Sequence, residues 1–267
     1  MLKVQILCNN QTSKSRFLAE HGLSLFIQVD HYRILFDTGQ SHVFAHNAKQ
    51  MGVDLSSVDA LVLTHGHYDH TGGVREFARH NHKAKFYLHP AAFSQRFNRG
   101  ERENIGIPWG REDFSERIET VREPLALNPN ILLTGQVPRF FEITQTPFLM
   151  YEGEELVEDY VLDEQLLLIE GRNGVYVFMG CCHMGLGNAL RVAAELFPGE
   201  RIAAVIGGFH LKGSGREASR ILQEHQVELV VPLHCTGFGA ISGLKAAFGD
   251  SCPLLGAGEE LIFEEVQ

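Results

Sequence analysis

Four side chains of the metal-ligand type, His65, His67, Asp69 and His70, stand within six residues, directly after the apolar run Ala60-Leu61-Val62-Leu63. Imidazole and carboxylate are the donors that a borderline ion such as Zn²⁺ prefers, at about 2.0–2.2 Å. In an extended stretch alternate side chains project to the same side, so His65 and His67 aim together. Gly66 between them adds little bulk and permits a bend, beyond which Asp69 and His70 can face a neighbouring position. One short loop thus offers donors to two adjacent ions. The bland alternative is a polar turn that happens to be rich in histidine, but four donors at the end of a buried strand argue against it. One loop cannot complete two coordination shells. A chain built on it must fold so that distant donors reach the same point.

Three further histidines stand immediately after apolar runs: His183 after Val175–Gly180, His210 after Ala203–Gly208, and His234 after Leu229–Leu233. Side chains at the carboxyl ends of neighbouring strands converge on one edge of a sheet, where sites in α/β proteins form. Each histidine alone reads equally well as a partly buried polar residue. Their recurrence in one context, beside the loop, makes them candidate ligands. His21, His31, His42, His46, His80, His82, His89 and His225 lack that setting and read as surface or supporting residues. Cys181, Cys182 and Cys235 adjoin the candidates and read as small packing residues rather than ligands.

The rest of the chain alternates strands and helices. Leu23–Val29 and Tyr32–Phe36 read as a hairpin, with Asp37-Thr38-Gly39 ending the second strand. Apolar spacing predicts helices over 41–51, 73–80, 186–197 and 216–225, with strands at 60–63, 85–88, 202–206, 229–231 and 257–263. Gly171-Arg172-Asn173-Gly174 between two apolar runs is a hairpin turn. Residues 91–125 differ: they are rich in arginine, hold the only tryptophan, Trp109, and show little periodicity. They read as an irregular insertion that covers the site or, equally, as a solvated excursion. The expected architecture is layered α/β, one domain over residues 1–267.

The formal charge of −10 argues against general affinity for nucleic acid or anionic membrane, both of which need a basic surface. No apolar run reaches the roughly 20 residues of a membrane-spanning helix. Five cysteines without a repeated CxxC spacing, and a start that turns polar too soon for a signal peptide, lead to the expectation of a cytoplasmic protein.

The segment from Thr64 to Gly73 resembles the HxHxDH motif of the metallo-β-lactamase superfamily. Phe36-Asp37-Thr38-Gly39 resembles the superfamily's earlier strand-end aspartate, which supports the metal ligands from behind. The segments 180–185, 207–211 and 232–237, with Thr134–Arg139 and Asp163-Glu164-Gln165, are similar to the branch related to archaeal-type dihydropteroate synthase. The resemblance covers nearly the whole chain except 91–125. It implies a four-layer αββα sandwich and one or two divalent ions, zinc first, with iron or manganese as alternatives, because His and Asp ligands serve all three. Many superfamily members place a bridging aspartate after a later strand. Here none follows Gly180 or Gly208; His183 and His210 stand in that region.

An ion pair in such a site suits attack on a phosphoester, ester or lactone. Asp69 is then the residue that orients the nucleophile or accepts its proton. Arg139 and Lys212 are candidate binders of an anionic small-molecule substrate, against the alternative of solvated surface charge. The branch suggests a second reaction, a transferase joining a dihydropterin to a ribofuranosyl-aminobenzene phosphate with loss of diphosphate. A di-iron redox protein is disfavoured, since residue 67 is His where oxygen-reducing relatives carry Glu and append a flavin domain. A non-catalytic ligand binder is the remaining alternative.

Overall fold

β-Branched and aromatic residues bounded by short polar turns make the N-terminal apolar runs pair as antiparallel strands. In the computed structural model, which describes residues 1–143 and 147–263, they belong to a seven-stranded sheet. Its order is Glu260–Phe263, Leu2–Cys8, Ser24–Val29, Tyr32–Phe36, Ala60–Val62, Lys85–Leu88, Ile118–Thr120. The last four run parallel, and the helices Val43–Gln50 and Val74–His80 lie in the crossovers between them. A six-stranded sheet follows, ordered Leu229–Leu233, Ile202–Gly208, Gly174–Met179, Leu167–Gly171, Ile131–Leu133, Leu125–Asn128. Its first three strands are parallel and joined by the helices Leu186–Leu196 and Arg216–Glu224.

The two sheets bury their facing sides against each other. Val4, Ile27, Phe36 and Val62 of the first share one core with Ile169, Phe178, Ile206 and Leu233 of the second. The outer face of the first sheet is covered by Phe44 and Phe77 of its helices. The second is covered by Leu190, Leu222 and Leu244. The layers therefore run helix, sheet, sheet, helix, as the resemblance implied. This packing places the carboxyl ends of parallel strands from both sheets along one rim.

The helices expected from spacing form within two residues of their predicted ends. The helix Phe238–Phe248 was not foreseen because Gly239 and Gly243 lower its intrinsic propensity, by about 1 kcal/mol each relative to alanine. Both glycines are there for close approach: an added Cβ would meet the Gly213 carbonyl at 2.5 Å and the Ser214 carbonyl at 1.9 Å.

Residues 91–125 hold short turns and the two-residue strand Arg96–Phe97, but Ile118–Thr120 belongs to the main sheet. A second excursion, the hairpin Phe148–Glu152 with Glu155–Asp159, carried no clear signal in the sequence. It pairs with Arg96–Phe97 in a three-stranded sheet. The first excursion packs behind the histidine loop. Trp109 Nε1 donates to the Thr71 carbonyl at 2.9 Å, Tyr68 N donates to Ile105 O at 2.9 Å, and a Cβ on Gly66 would lie 2.0 Å from Ala92 O. Gly66 therefore serves this close contact, beyond the bend expected of it.

Arg96 joins the two excursions. Its buried guanidinium bonds Asp163 and lies 3.1 Å from Asp159, while Asp163 also accepts the Gly66 amide at 2.8 Å. Removing the arginine would leave two carboxylates buried without a counter-charge. We expect Arg96→Ala to destabilise the fold by about 3–5 kcal/mol in urea titrations, and a loss under 1 kcal/mol would contradict this reading.

Candidate metal centre

The rim is built from residues just past strand ends, and several pay for their position in backbone strain. Asp37, Cys182, His210 and His234 have φ of +56°, +58°, +46° and +47°, in the left-handed region that non-glycine residues seldom adopt. Each follows a parallel strand closely, so the chain turns sharply at the point where a side chain must face the rim.

Behind the rim, acceptors fix the imidazoles. Asp37 accepts the Thr64 amide at 2.8 Å through one oxygen. Its other oxygen takes the Thr64 hydroxyl at 2.8 Å and His70 Nδ1 at 2.7 Å. With its proton given to Asp37, Thr64 Oγ1 accepts from His65 Nδ1 at 3.0 Å. Asn10 Oδ1 accepts His234 Nδ1 at 2.8 Å, and the backbone of His234 is tied to Asn9 Oδ1 at 2.8 Å. In all three rings the Nδ1 proton is committed outward. The Nε2 lone pair is left facing the centre, the arrangement that orients histidine ligands around metals.

Two sets of donors result. His65, His67 and His183 form one, with ligand atoms mutually within 4.8 Å and His65 Nε2 at 3.0 Å from His67 Nδ1. Asp69, His70 and His234 form the other. Nε2 of His70 lies 3.2 Å from Nε2 of His234, and Asp69 Oδ2 lies 3.2 Å from His234 and 3.8 Å from His70. Donors around a tetrahedral ion with bonds of about 2.0–2.1 Å stand roughly 3.3–3.4 Å apart, close to these separations. His183 Nε2 is buried without a hydrogen-bond partner. An orphaned, fully buried imidazole nitrogen beside like nitrogens is costly unless a cation joins them. The residues fit a divalent ion.

Burial and mutual repulsion push His65 and His183 well below the usual imidazole range, and burial with the Arg96 charge holds His67 at about 3. These rings are neutral donors at any physiological pH. Asp69 is held well below the usual carboxylate range: burial opposes this, but His70, His21 and His234 outweigh it. Burial alone would also lower His70, yet the carboxylates of Asp37 and Asp69 hold it at about 9. A proton thus occupies, in the metal-free protein, the place that the two carboxylates prepare for a cation. Burial pushes the Cys181 thiol well above its usual range.

Six of the seven candidate donors fall into these two sets. His210 is the outermost: its ring lies 4.4 Å from that of His183, and its buried Nδ1 has no partner. Asp37 lies behind the loop, bonded to Thr64 and His70. Lys212 lines a cavity of about 640 Å³ that His210 also borders. Arg139 is exposed and stacks over Tyr160 at 4.7 Å, outside that lining.

Sequence reasoning missed several members. Cys181 Sγ lies 3.2 Å from His70 Nε2, inside the cluster and beyond a packing role. His21, read as a surface or supporting residue, is half exposed and takes the supporting place, with Nε2 at 3.1 Å from Asp69 Oδ2. Phe148 of the second excursion sets its ring 4.9 Å from His67 and 5.5 Å from His183. Glu164 accepts the amides of His183 and Met184 at 2.8 and 2.9 Å, and burial pushes its carboxyl up to about 7. The adjacency of Cys181 to His183 and the resemblance carried by Asp163-Glu164-Gln165 were the available signals; the others are contacts between distant segments.

The raised His70 value has a measurable consequence. An imidazole titrates near 6.5 in an unfolded chain. The shift to about 9 therefore stabilises the metal-free fold fully below about pH 6.5, and this contribution is lost as pH rises through about 9. We expect the melting temperature of chelator-treated protein to fall between about pH 7 and 9. Divalent-ion binding at about pH 7 should release a proton, visible in calorimetry across buffers of different ionisation enthalpy. Binding without proton release would contradict the arrangement.

The same architecture occurs in known proteins. The family model described as the metallo-beta-lactamase superfamily matches residues 19–181, which include Asp37, the histidine loop and Cys181. An uncharacterised protein of Methanocaldococcus jannaschii is 32% identical, over 91% of this chain and 93% of its own length. The 7,8-dihydropterin-6-methyl-4-(beta-D-ribofuranosyl)-aminobenzene-5'-phosphate synthase of the same organism is 29% identical, over 93% of this chain and 92% of that protein. Among solved structures, Tm1679, a metal-dependent hydrolase of the beta-lactamase superfamily, is 32% identical with a TM-score of 0.85, covering 98% of this chain and 99% of that one. YhfI from Bacillus subtilis, at 14% identity and a TM-score of 0.59, shares the fold. The αββα layering, the donors on its rim and the match over most of the sequence agree: this chain belongs to the metallo-beta-lactamase superfamily.

Proposed function

We propose that the protein is a metal-dependent hydrolase with a two-ion centre, acting on a small phosphorylated, ester or pterin-like substrate. The observation that carries this reading is the pair of adjacent donor sets, in which His65, His70 and His234 are held with Nε2 facing inward. His65, His67 and His183 would hold one ion; Asp69, His70 and His234 would hold the other. Zinc is the first candidate, with iron and manganese open to the same ligands. Divalent ions here would supply Lewis acidity and bring the pKa of water toward neutrality.

The chain's own residues do the rest. Asp69, ionised and half enclosed by His21, His70 and His234, orients a nucleophilic water or takes up its proton. Asp37 and Asn10 keep His70 and His234 in the donor tautomer through any exchange of ligand. Phe148, against His67, His183 and His210, covers the centre with an apolar ring and limits water. The cavity beside His210 has apolar walls from Phe141, Met184, Phe209 and Leu211, with the Lys212 ammonium at its lining. The apolar walls suit a ring-bearing substrate, with Lys212 and Arg220 available to an anionic group beside Glu142, Glu217 and Glu224. Arg139, over Tyr160, would reach the substrate only by leaving that ring. Among the described residues no helix is long and apolar enough to cross a membrane.

The likeness to the pterin synthase supports a second reading, transfer of a dihydropterin to a ribofuranosyl-aminobenzene phosphate. Incubating metal-loaded protein with dihydropterin diphosphate and the arylamine separates the two. A coupled product establishes transfer, whereas hydrolysis of phosphoester, ester or lactone probes without coupling establishes the hydrolase. On whichever substrate turns over, we expect Asp69→Asn to lower kcat by about 10²–10⁴-fold. His67→Ala should lower bound metal as well. Turnover by both variants equal to the parent would overturn a metal-centred mechanism.

A further inference from the structure

The donor sets are poor in negative charge. His65, His67 and His183 are all neutral imidazoles, and the second set brings one carboxylate, Asp69. Two divalent ions side by side repel each other and need an anion between them. The other buried carboxylates nearby are already engaged. Asp37 is held by Thr64 and His70, Glu164 by the amides of His183 and Met184, and Asp163 by Gly66 and Arg96. The segments that follow the strands Gly174–Met179 and Ile202–Gly208 carry no carboxylate: they read Gly180-Cys181-Cys182-His183 and Phe209-His210.

Cys181 stands at the remaining position. Its Sγ lies within 4.8 Å of ligand atoms of His65 and His70, of His183 and His210, and of His234 and Cys235. It thus faces two members of each donor set, and it is buried. Its nearest polar neighbour is His70 Nε2 at 3.2 Å. Cys235, the other thiol in reach, groups with His234 and Cys181 only, and its sulfur is engaged, accepting the His210 amide at 3.2 Å and donating to the Cys181 carbonyl at 3.6 Å.

Resting on the two-ion reading above, we propose that Cys181 is a thiolate ligand shared by both ions, supplying the anionic bridge that no carboxylate of this chain provides. On loading, the S–H bond gives its proton to solvent while two metal–sulfur bonds form. Sulfur keeps lone pairs enough for both, and arms of about 2.3 Å can span the roughly 3.5–4 Å between paired ions. A bridge of this kind favours softer ions, so zinc or iron should be held over magnesium and, more weakly, over manganese.

Cobalt(II) titration of metal-free protein tests this, with X-ray absorption on the zinc-loaded form. The parent should take up two equivalents and show a thiolate-to-cobalt charge-transfer band, and each zinc should see one sulfur. Cys181→Ser should lose the band and bind the second equivalent at least tenfold more weakly. Cys182→Ser and Cys235→Ser should keep both features. Two cobalt ions in the parent without a sulfur band would overturn the bridge and leave the two-ion hydrolase standing. A band lost in Cys235→Ser and kept in Cys181→Ser would overturn it also. Failure of the parent to bind any divalent ion would overturn both. Because the parent's own spectrum can refute the bridge, the test survives misfolding of a variant.

Discussion

The buried carboxylate of Asp37 is the contact on which the rest of the site depends. One oxygen holds the backbone where the strand Ala60–Val62 gives way to the histidine loop, and the other holds Thr64 and His70. Through Thr64 it also sets His65. A single anion thus fixes the register of the loop, the tautomer of two imidazoles and the charge that calls for a cation. It can do so only because Asp37 accepts a left-handed backbone at the end of its own parallel strand. The cost of that conformation, of order 1–3 kcal/mol, is carried by the surrounding sheets.

A second tie crosses between the sheets. Asp163, Glu164 and Gln165 precede the strand Leu167–Gly171, and each reaches a different part of the rim. Asp163 takes the Gly66 amide, and Glu164 takes those of His183 and Met184. Gln165 donates to the Leu63 carbonyl at 2.9 Å, and its amide to Thr64 O at 2.9 Å. The loops carrying His65 and His183 are therefore referenced to one tripeptide. That accounts physically for a close donor set drawn from separate sheets. Buried hydrogen-bonded networks of this kind are stiff, because any loosening leaves polar groups unpaired.

Much of this was legible before any coordinates. The histidine loop announced a metal site because four donors after an apolar run have few other uses. His183, His210 and His234 could be chosen from fourteen histidines because each follows an apolar strand. The helices were legible from their apolar stripes, except Phe238–Phe248, whose glycines answer to neighbouring carbonyls instead of local propensity. Less could be read where a residue's role comes from a distant partner. Arg96 reads as one arginine in an irregular, arginine-rich stretch, and its counter-charges lie more than sixty residues away. Phe148 lies in a segment with no period to mark it.

What the sequence determined by itself is the chemistry available and the strand ends that present it: neutral imidazoles, one loop carboxylate, and an alternation of strand and helix that must form layers. What only the tertiary structure decided is the grouping. It set His183 with His65 and His67, gave His234 to Asp69 and His70, and brought Cys181 in among them. The reason is that a donor set is defined by separations of a few ångströms between residues over a hundred positions apart. Those separations are fixed by how two twisted sheets pack and where their strands stop, which no local pattern encodes.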